Sequence, residues 1–120
     1  MGQMLVEGGR IEENLNRAEG MIREAAARGC RVIVLPECLD AGWTHPSARK
    51  LAEEIPGNTS DRLCEAAREN NILVVAGLTE RDGGRIYNSA ILIDKDGRIL
   101  LKHRKINVLK IAQNLSLIHI

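Results

Sequence analysis

The sequence of 120 residues has very few aromatic side chains: it contains one Trp, one Tyr and no Phe. Any core must therefore be built from aliphatic residues. Hydrophobic residues make up 44% of the chain and charged residues 28%. These proportions are typical of a folded domain and argue against a disordered segment, and the length fits one domain.

The chain also lacks an excess of charge and any long apolar run. Its 17 basic and 16 acidic residues give a formal net charge of +1. This balance gives no electrostatic basis for a nucleic acid or an anionic membrane as partner. No apolar run approaches the roughly 20 residues that span a bilayer, and the first ten residues do not resemble a signal peptide. We therefore expect a cytoplasmic protein.

Cysteine is scarce as well, with Cys30, Cys38 and Cys64 at spacings that form no C-x-x-C unit. An odd number at these spacings argues against a disulfide framework and against a zinc site. No set of His and acidic residues has ligand spacing, so we predict no bound metal. Cys30 and Cys64 fall at a helix–strand junction and on an apolar helix face, where packing is the expected role.

Helical periodicity is clearest near the N-terminus. Apolar residues recur at intervals of three and four between Ile11 and Ala26, and Gly29 follows, which predicts a helix over residues 11–28. Before it, residues 4–6 are interpreted as the end of a strand. Residues 45–57 favour a short helix, and Thr59 or Ser60 is expected to cap a further helix over 61–70.

Four segments are typical of strands: residues 31–35, 72–79, 86–94 and 98–102. The first is a continuous β-branched run, which suits a strand covered on both faces. The last three are separated by short links rich in Gly and Asp, which indicate hairpins. The predicted fold class is therefore α/β, with a mixed sheet, an antiparallel meander and helices packed on it.

Glu37 and Cys38 stand side by side where the first strand ends. A carboxylate there occupies the place where α/β folds put functional groups, and desolvation would suit it to act as a base. A solvated loop acid is the equal alternative. An adjacent carboxylate disfavours a thiolate, and neighbours on an extended segment point opposite ways. We therefore expect Cys38 to be a half-buried packing residue.

The basic run at residues 102–105 closes the last predicted strand. Most such runs are solvated surface, but a lysine at a strand end is also able to stabilise a developing negative charge. His103 has no partner at ligand spacing. The glycines form neither a GxGxxG nor a P-loop pattern, and no GxSxG motif is present.

Two segments together resemble the first part of the nitrilase superfamily, the carbon–nitrogen hydrolases. They are NLNRAEGMIREAAARGCRVIVLPE and IYNSAILIDKDGRILLKHRKINVL, which place 68 positions between Glu37 and Lys105. The resemblance extends to about Gln113. It implies the first half of an αββα sandwich and a Glu-Lys-Cys triad, in which Glu37 matches the general base and Lys105 the lysine that stabilises the tetrahedral intermediate.

The resemblance implies hydrolysis of a nitrile, amide or N-carbamoyl compound, a small molecule, without a metal or organic cofactor. Trp43 and His45, in the loop after Glu37, are candidates to line the substrate pocket, although loop packing explains them equally well. The intact protein is expected to form a homo-oligomer. The family's nucleophilic cysteine follows the lysine, and no cysteine follows Cys64 here.

We therefore expect residues 1–114 to be the N-terminal part of a longer hydrolase domain and the chain alone to lack turnover. Residues 115–120, LSLIHI, resemble the translated transposon end used in sequencing libraries, with an apolar terminal strand as the alternative. A non-catalytic α/β binding or interaction module remains the alternative function. Half of a sandwich leaves a sheet face uncovered, which predicts an oligomeric or aggregating polypeptide.

Overall fold

The computed structural model describes residues 1–106 and the backbone of residues 110–113 and 116–119. Within these ranges the chain forms one four-stranded sheet with three helices, and a separate two-stranded antiparallel sheet. The elements, in chain order, are α1 (Ile11–Ala27), β1 (Val32–Val34), α2 (Ala48–Leu51), α3 (Asn58–Asn70), β2 (Leu73–Asp82), β3 (Arg85–Ile93), β4 (Ile99–Arg104), β5 (Lys110–Gln113) and β6 (Ser116–His119).

The larger sheet is mixed, with its strands in the order β1-β2-β3-β4. β1 and β2 are parallel, and both α2 and α3 lie in the connection between them. β2, β3 and β4 form an antiparallel meander. The two-residue turn between β2 and β3 is Gly83-Gly84, and the positive φ of Gly83 (60°) is one that glycine adopts at no steric cost. The predicted mixed α/β fold is confirmed.

One face of this sheet packs on α1 and α3. Aliphatic side chains alternate toward this face because successive strand residues point to opposite sides. Ile22 of α1 and Leu63 of α3 have no exposed surface. The rest of this aliphatic core includes Leu15, Ala18, Ile33, Ala66, Ala67, Val74, Ala76, Leu78, Ile91 and Ile93.

The opposite face, here called the open face, carries an apolar row across all four strands. The strand registers align Val34 with Val75, Val75 with Leu92, and Leu92 with Leu101. Val34 and Leu101, at the two ends of the row, are 42% and 61% exposed. No element among the described residues covers this row, as the exposure of its ends shows.

The predicted N-terminal helix is confirmed within one residue, and a short helix does lie within residues 45–57, but two local predictions are wrong. Residues 4–6 form no strand. The short helix is limited to α2. Helix α3 begins three residues before residue 61, because Gly57 N–H donates to Ser60 Oγ (2.8 Å) and Thr59 N–H donates to a Glu53 carboxylate oxygen (3.0 Å). Thr59 and Ser60 therefore lie inside the first turn.

The apolar tail predicted as adapter-derived is described in part. Residues 116–119 form β6, which pairs with β5 in register Lys110 to His119. Residues 114, 115 and 120 lie outside the described residues. The division at residue 114 and the adapter origin of the tail stay predictions.

Candidate active site

Glu37 reaches the open face because the chain continues to pair with β2 after β1 ends. Leu35 N–H donates to Val75 O (2.8 Å), and Leu39 N–H donates to Gly77 O (3.0 Å). A Cβ on Gly77 would clash with the Glu37 Cα and would lie 2.9 Å from Pro36 O. Glycine at position 77 therefore permits the close approach that places Glu37.

Glu37, Lys105 and Asn88 meet at one end of the open face. Lys105 Nζ lies 3.5 Å from Glu37 Oε2, and Asn88 Nδ2 donates to the same oxygen at 2.9 Å. Lys105 is also held through its backbone, whose N–H donates to Asn88 O (2.8 Å). The two residues predicted as base and lysine, 68 positions apart in sequence, are thus brought together.

The surroundings of this pair differ from the desolvated pocket expected from the sequence. The side chains of Glu37 and Lys105 are 46% and 43% exposed. Glu37 leaves the sheet on a loop and points toward the open face, where no described residue covers it. The carboxylate and the ammonium group are therefore accessible to a small molecule.

Cys38 is buried beside the site, where its thiol resists deprotonation. Burial raises the pKa of its thiol to about 12, and the neighbouring charges of Asp40 and Glu37 act in the same direction. The prediction that Cys38 packs is borne out, although its backbone is left-handed (φ 45°) rather than extended. Cys64 is half-buried, but the packing prediction for Cys30 is wrong, because its link after α1 is solvent-exposed.

Asp40 ties the loop after Glu37 to the sheet. Its carboxylate accepts hydrogen bonds from the backbone N–H and the hydroxyl of Thr79 (3.0 and 3.1 Å), and Asn14 Nδ2 donates to its backbone oxygen (2.7 Å). Burial raises the pKa of this carboxyl, which Thr79 opposes in part. The loop that carries Glu37 is thereby anchored to both β2 and α1.

The basic run at residues 102–105 divides between the two faces of the sheet. Lys102 and Arg104 both contact the carboxylate of Glu80 on the face opposite the site, whereas Lys105 lies next to Glu37 on the open face. Strand alternation causes this division. The run is therefore neither uniform surface nor a single patch.

Two polar residues of the site region were not assigned a role from the sequence. Asn88 is 7% exposed and Glu80 is 1% exposed, and both have hydrogen-bond partners. The available signal was the pair Asn-Ser inside the otherwise apolar strand of residues 86–93, since polar residues in a buried strand require partners.

Two grooves meet at Glu37. One, of about 520 Å³, runs along the open face past Leu35, Asn88 and His103 to Lys105. The other, of about 600 Å³, lies against the loop that contains Trp43 and His45. The His45 ring packs against Gly8, and its Nδ1 lies 2.5 Å from Ser47 Oγ. Both predicted lining residues thus border a groove that includes Glu37.

Metal ligands do not cluster in the part of the chain that the structure describes: no group of three or more His, Cys, Asp or Glu side chains is suitably placed. In the same residues, no helix is long and apolar enough to cross a membrane.

The chain is similar in sequence to known amidases. Omega-amidase NIT2 from Xenopus tropicalis is 40% identical over 100 residues, which cover 82% of this chain and 36% of the relative. Omega-amidase NIT2 from Homo sapiens is 37% identical over the same shares. The chain thus spans about a third of the length of these curated relatives.

Solved structures share the fold. The Nesterenkonia AN1 amidase from the nitrilase superfamily has a TM-score of 0.80 at 20% identity, over 89% of this chain and 42% of that one. The NitFhit protein of C. elegans has a TM-score of 0.78 at 24% identity, over 89% of this chain and 27% of that one. The family model for carbon–nitrogen hydrolases matches residues 3–118. The chain, with its αβ half-sandwich and paired Glu37 and Lys105, therefore belongs to the carbon–nitrogen hydrolase family.

Proposed function

We propose that this chain supplies the base and the lysine of a thiol-dependent hydrolase that cleaves small amides. The observation that carries the proposal is the approach of Lys105 Nζ to Glu37 Oε2 at 3.5 Å in an accessible groove. The amidase relatives favour an amide over a nitrile or an N-carbamoyl compound.

In this proposal Glu37 takes the proton of an attacking thiol and passes it to the nitrogen that leaves as ammonia or an amine. The carboxylate, deprotonated again, then takes a proton from the water that attacks the thioester and releases the acid. Lys105 donates a hydrogen bond to the oxygen that becomes negative in the tetrahedral intermediate. Asn88 holds the carboxylate oxygen that faces Lys105, so that the base and the ammonium group keep their separation. The products are a carboxylic acid and ammonia or an amine.

The thiol itself belongs to a cysteine outside this chain. Cys38 is unsuited, because its buried thiol has a pKa near 12 and its neighbours are acidic. In a mutant of the amidase from Nesterenkonia sp. AN1, the acetamide moiety of fluoroacetamide is added covalently at the active site cysteine. We infer the same kind of nucleophile for the longer protein, of which residues 1–114 form the N-terminal part, and expect that protein to be a homo-oligomer.

We propose that the groove against the loop of Trp43 and His45 binds the part of the substrate away from the scissile bond. Trp43 is half-buried on its wall and offers an apolar surface, while His45 lies at its rim. Trp43→Ala is then expected to raise KM more than it lowers kcat, because the side chain contacts the substrate equally in the ground state and the transition state.

The test uses the longest reading frame of the source gene that contains residues 1–114, assayed for ammonia release from simple aliphatic amides. Glu37→Gln should lower kcat/KM by about 100-fold or more, as expected on loss of a general base. Lys105→Ala should lower it by about 100- to 1000-fold. Glu54→Gln and Lys95→Ala, exposed residues outside the site, are the matched controls.

Two results would reject the proposal. One is a complete gene without a cysteine after Lys105, which would favour a non-catalytic binding module. The other is an active enzyme indifferent to both substitutions. The 120-residue chain alone should give no turnover, and hydrolysis that disappears with Glu37→Gln would contradict this.

A further inference from the structure

Glu80 is a buried carboxylate that joins the three strands of the meander. Its side chain on β2 is 2% exposed. It accepts hydrogen bonds from Ser89 Oγ on β3 (2.7 Å) and from Arg104 Nε on β4 (2.8 Å), and it pairs with Lys102. We call these four residues the Glu80 cluster.

The charge of Glu80 is retained inside the protein. Burial alone would raise the pKa of this carboxyl, but the hydrogen bonds from Arg104, Lys102 and Ser89 outweigh burial and lower it to about 2. An ionised carboxylate with fixed donors sets strand positions more strictly than apolar contacts do, because each hydrogen bond has a narrow range of length and angle.

Two members of the Glu80 cluster are chain neighbours of site residues. Ser89 follows Asn88, and Arg104 precedes Lys105. Since successive strand residues face opposite sides, attaching Ser89 and Arg104 to Glu80 determines where Asn88 and Lys105 stand on the open face. The register pairs Ser89 with Arg104, and Lys105 N–H donates to Asn88 O.

Arg104 is held on several sides, whereas Lys105 is not. The guanidinium carbon of Arg104 lies 4.0 Å from the centre of the Tyr87 ring, and its Nη2 donates a hydrogen bond to the Asp82 carboxylate at 2.7 Å. Lys105 has a long side chain, 43% exposed, whose described polar contact is Glu37. The position of its ammonium group therefore depends on the backbone that the cluster fixes.

We propose that Glu80, acting through Ser89 and Arg104, is a positioning residue that sets Asn88 and Lys105 against Glu37. The inference rests on the proposed function, in which Glu37 and Lys105 carry the chemistry. In this proposal, contacts on the helix-covered face of the sheet determine the geometry of the site residues on the open face.

The test measures geometry by NMR in the 120-residue chain, kept below the concentration at which it self-associates, with selective ¹⁵N labelling of asparagine. Asn88 Nδ2 donates to Glu37, so the Glu37→Gln substitution should shift the side-chain signals of Asn88. Asn14 Nδ2 donates to Glu7 O and Asp40 O at 2.8 and 2.7 Å in the anchored loop, which makes its signals a folding control in the same spectrum.

When Glu37→Gln is introduced into the Glu80→Gln chain, it should shift the Asn88 signals by less than half as much as it does in the wild type, while the Asn14 signals keep their wild-type positions. Arg104→Lys should do the same, because lysine keeps the charge but loses the planar fork. Asp82→Asn, which alters Arg104 at the exposed rim alone, is the matched control and should leave both sets of signals unchanged.

The inference would be overturned if Glu37→Gln shifted the Asn88 signals in a folded Glu80→Gln or Arg104→Lys chain as much as it does in the wild type. Equal loss of the Asn14 and Asn88 signals in both would also overturn it, because the cluster would then support the fold without directing the site. The experiment measures no turnover. An inactive enzyme with the expected spectra would thus reject the proposed function and leave the positioning role standing.

Discussion

At the scale of single residues, the two chain neighbours Glu37 and Cys38 differ in their exposure to solvent. Glu37 is exposed at the meeting point of two grooves, while Cys38 is buried with its thiol pKa raised by burial. Their difference arises from the backbone, which turns into the left-handed region at Cys38 (φ 45°), between Pro36 and Leu39, the two residues that pair with Gly77. The Glu37 carboxylate is thus accessible to solvent, and the Cys38 thiol is buried.

Gly77→Ala should destabilise the chain and displace Glu37. The new Cβ would lie 2.9 Å from Pro36 O and 3.0 Å from Cys38 N, and backbone atoms yield little. Overpacking of this kind costs about 1–3 kcal/mol of the free energy of unfolding, measured by urea titration. Gly84→Ala, with nothing within 4 Å of its Cβ, is the control and should change stability by less than about 0.5 kcal/mol.

Glu80 should make the chain sensitive to acid. Its folded pKa of about 2 is below the ordinary value of 4.5, so its stabilisation is complete above pH 4.5 and is lost as the pH falls toward 2. The wild type should lose on the order of 2 kcal/mol more than Glu80→Gln between pH 6 and pH 3 in urea unfolding.

The raised pKa of Asp40 has the opposite effect, because a raised carboxyl pKa makes the folded state less stable as the pH rises. Asp40 is present in both the wild type and Glu80→Gln, so its contribution cancels when the two are compared. Glu65→Gln, at an exposed helix position paired with Arg68, should retain most of the wild-type pH dependence. Parallel pH curves for the wild type and Glu80→Gln would show that Glu80 contributes no acid sensitivity.

At the scale of elements, helix α3 depends on a residue outside itself. The N-cap residue of α3 is Gly57, which has no side chain to accept a hydrogen bond from a backbone N–H. The Glu53 carboxylate, four residues earlier, accepts hydrogen bonds from the backbone N–H and the hydroxyl of Thr59, both at 3.0 Å. A negative charge at this end also suits the helix dipole.

Glu53→Ala should therefore destabilise α3, because two donors of Thr59 lose their acceptor while Thr59 itself is buried. The expected cost is about 1–2 kcal/mol of the free energy of unfolding in thermal or urea melts. Glu54→Ala removes an exposed carboxylate next in the chain and should cost much less. Equal costs would mean that general charge, and not the hydrogen bonds, stabilises this helix end.

At the scale of the whole molecule, the sheet is covered on one face and open on the other. The row formed by Val34, Val75, Leu92 and Leu101 crosses the four strands on the open face. An apolar face of this kind favours contact with another protein surface. In a longer carbon–nitrogen hydrolase, we expect the second half of the sandwich to supply that surface.

The chain alone should therefore self-associate through the open face. Leu101→Glu should raise the concentration at which association begins by about tenfold or more, because burial of a leucine contributes roughly 1.5–3 kcal/mol. Leu5→Glu is the matched control, since Leu5 is 62% and Leu101 61% exposed. Sedimentation velocity over a concentration series measures the effect, and a monomer at all concentrations would contradict it.

The sequence by itself determined the elements and the family. The apolar period from Ile11 to Ala26 defines α1, since an amphipathic helix is encoded locally, and the two glycines between β2 and β3 define a hairpin turn. The same local order drew attention to Glu37 and to the basic run at residues 102–105, and the family resemblance selected Lys105 as the partner of Glu37. Helix starts were less predictable, because the acceptor that begins α3 comes from Glu53 outside it.

Only the tertiary structure decided which of these residues meet. The contact of Asn88 with Glu37 spans 51 positions, and that of Arg104 with Glu80 spans 24. Such contacts depend on the pairing register of three strands, and a shift of one residue would send every side chain to the other face. Periodicity fixes that side chains alternate, but the packing of one face on α1 and α3 decides which residues face the site.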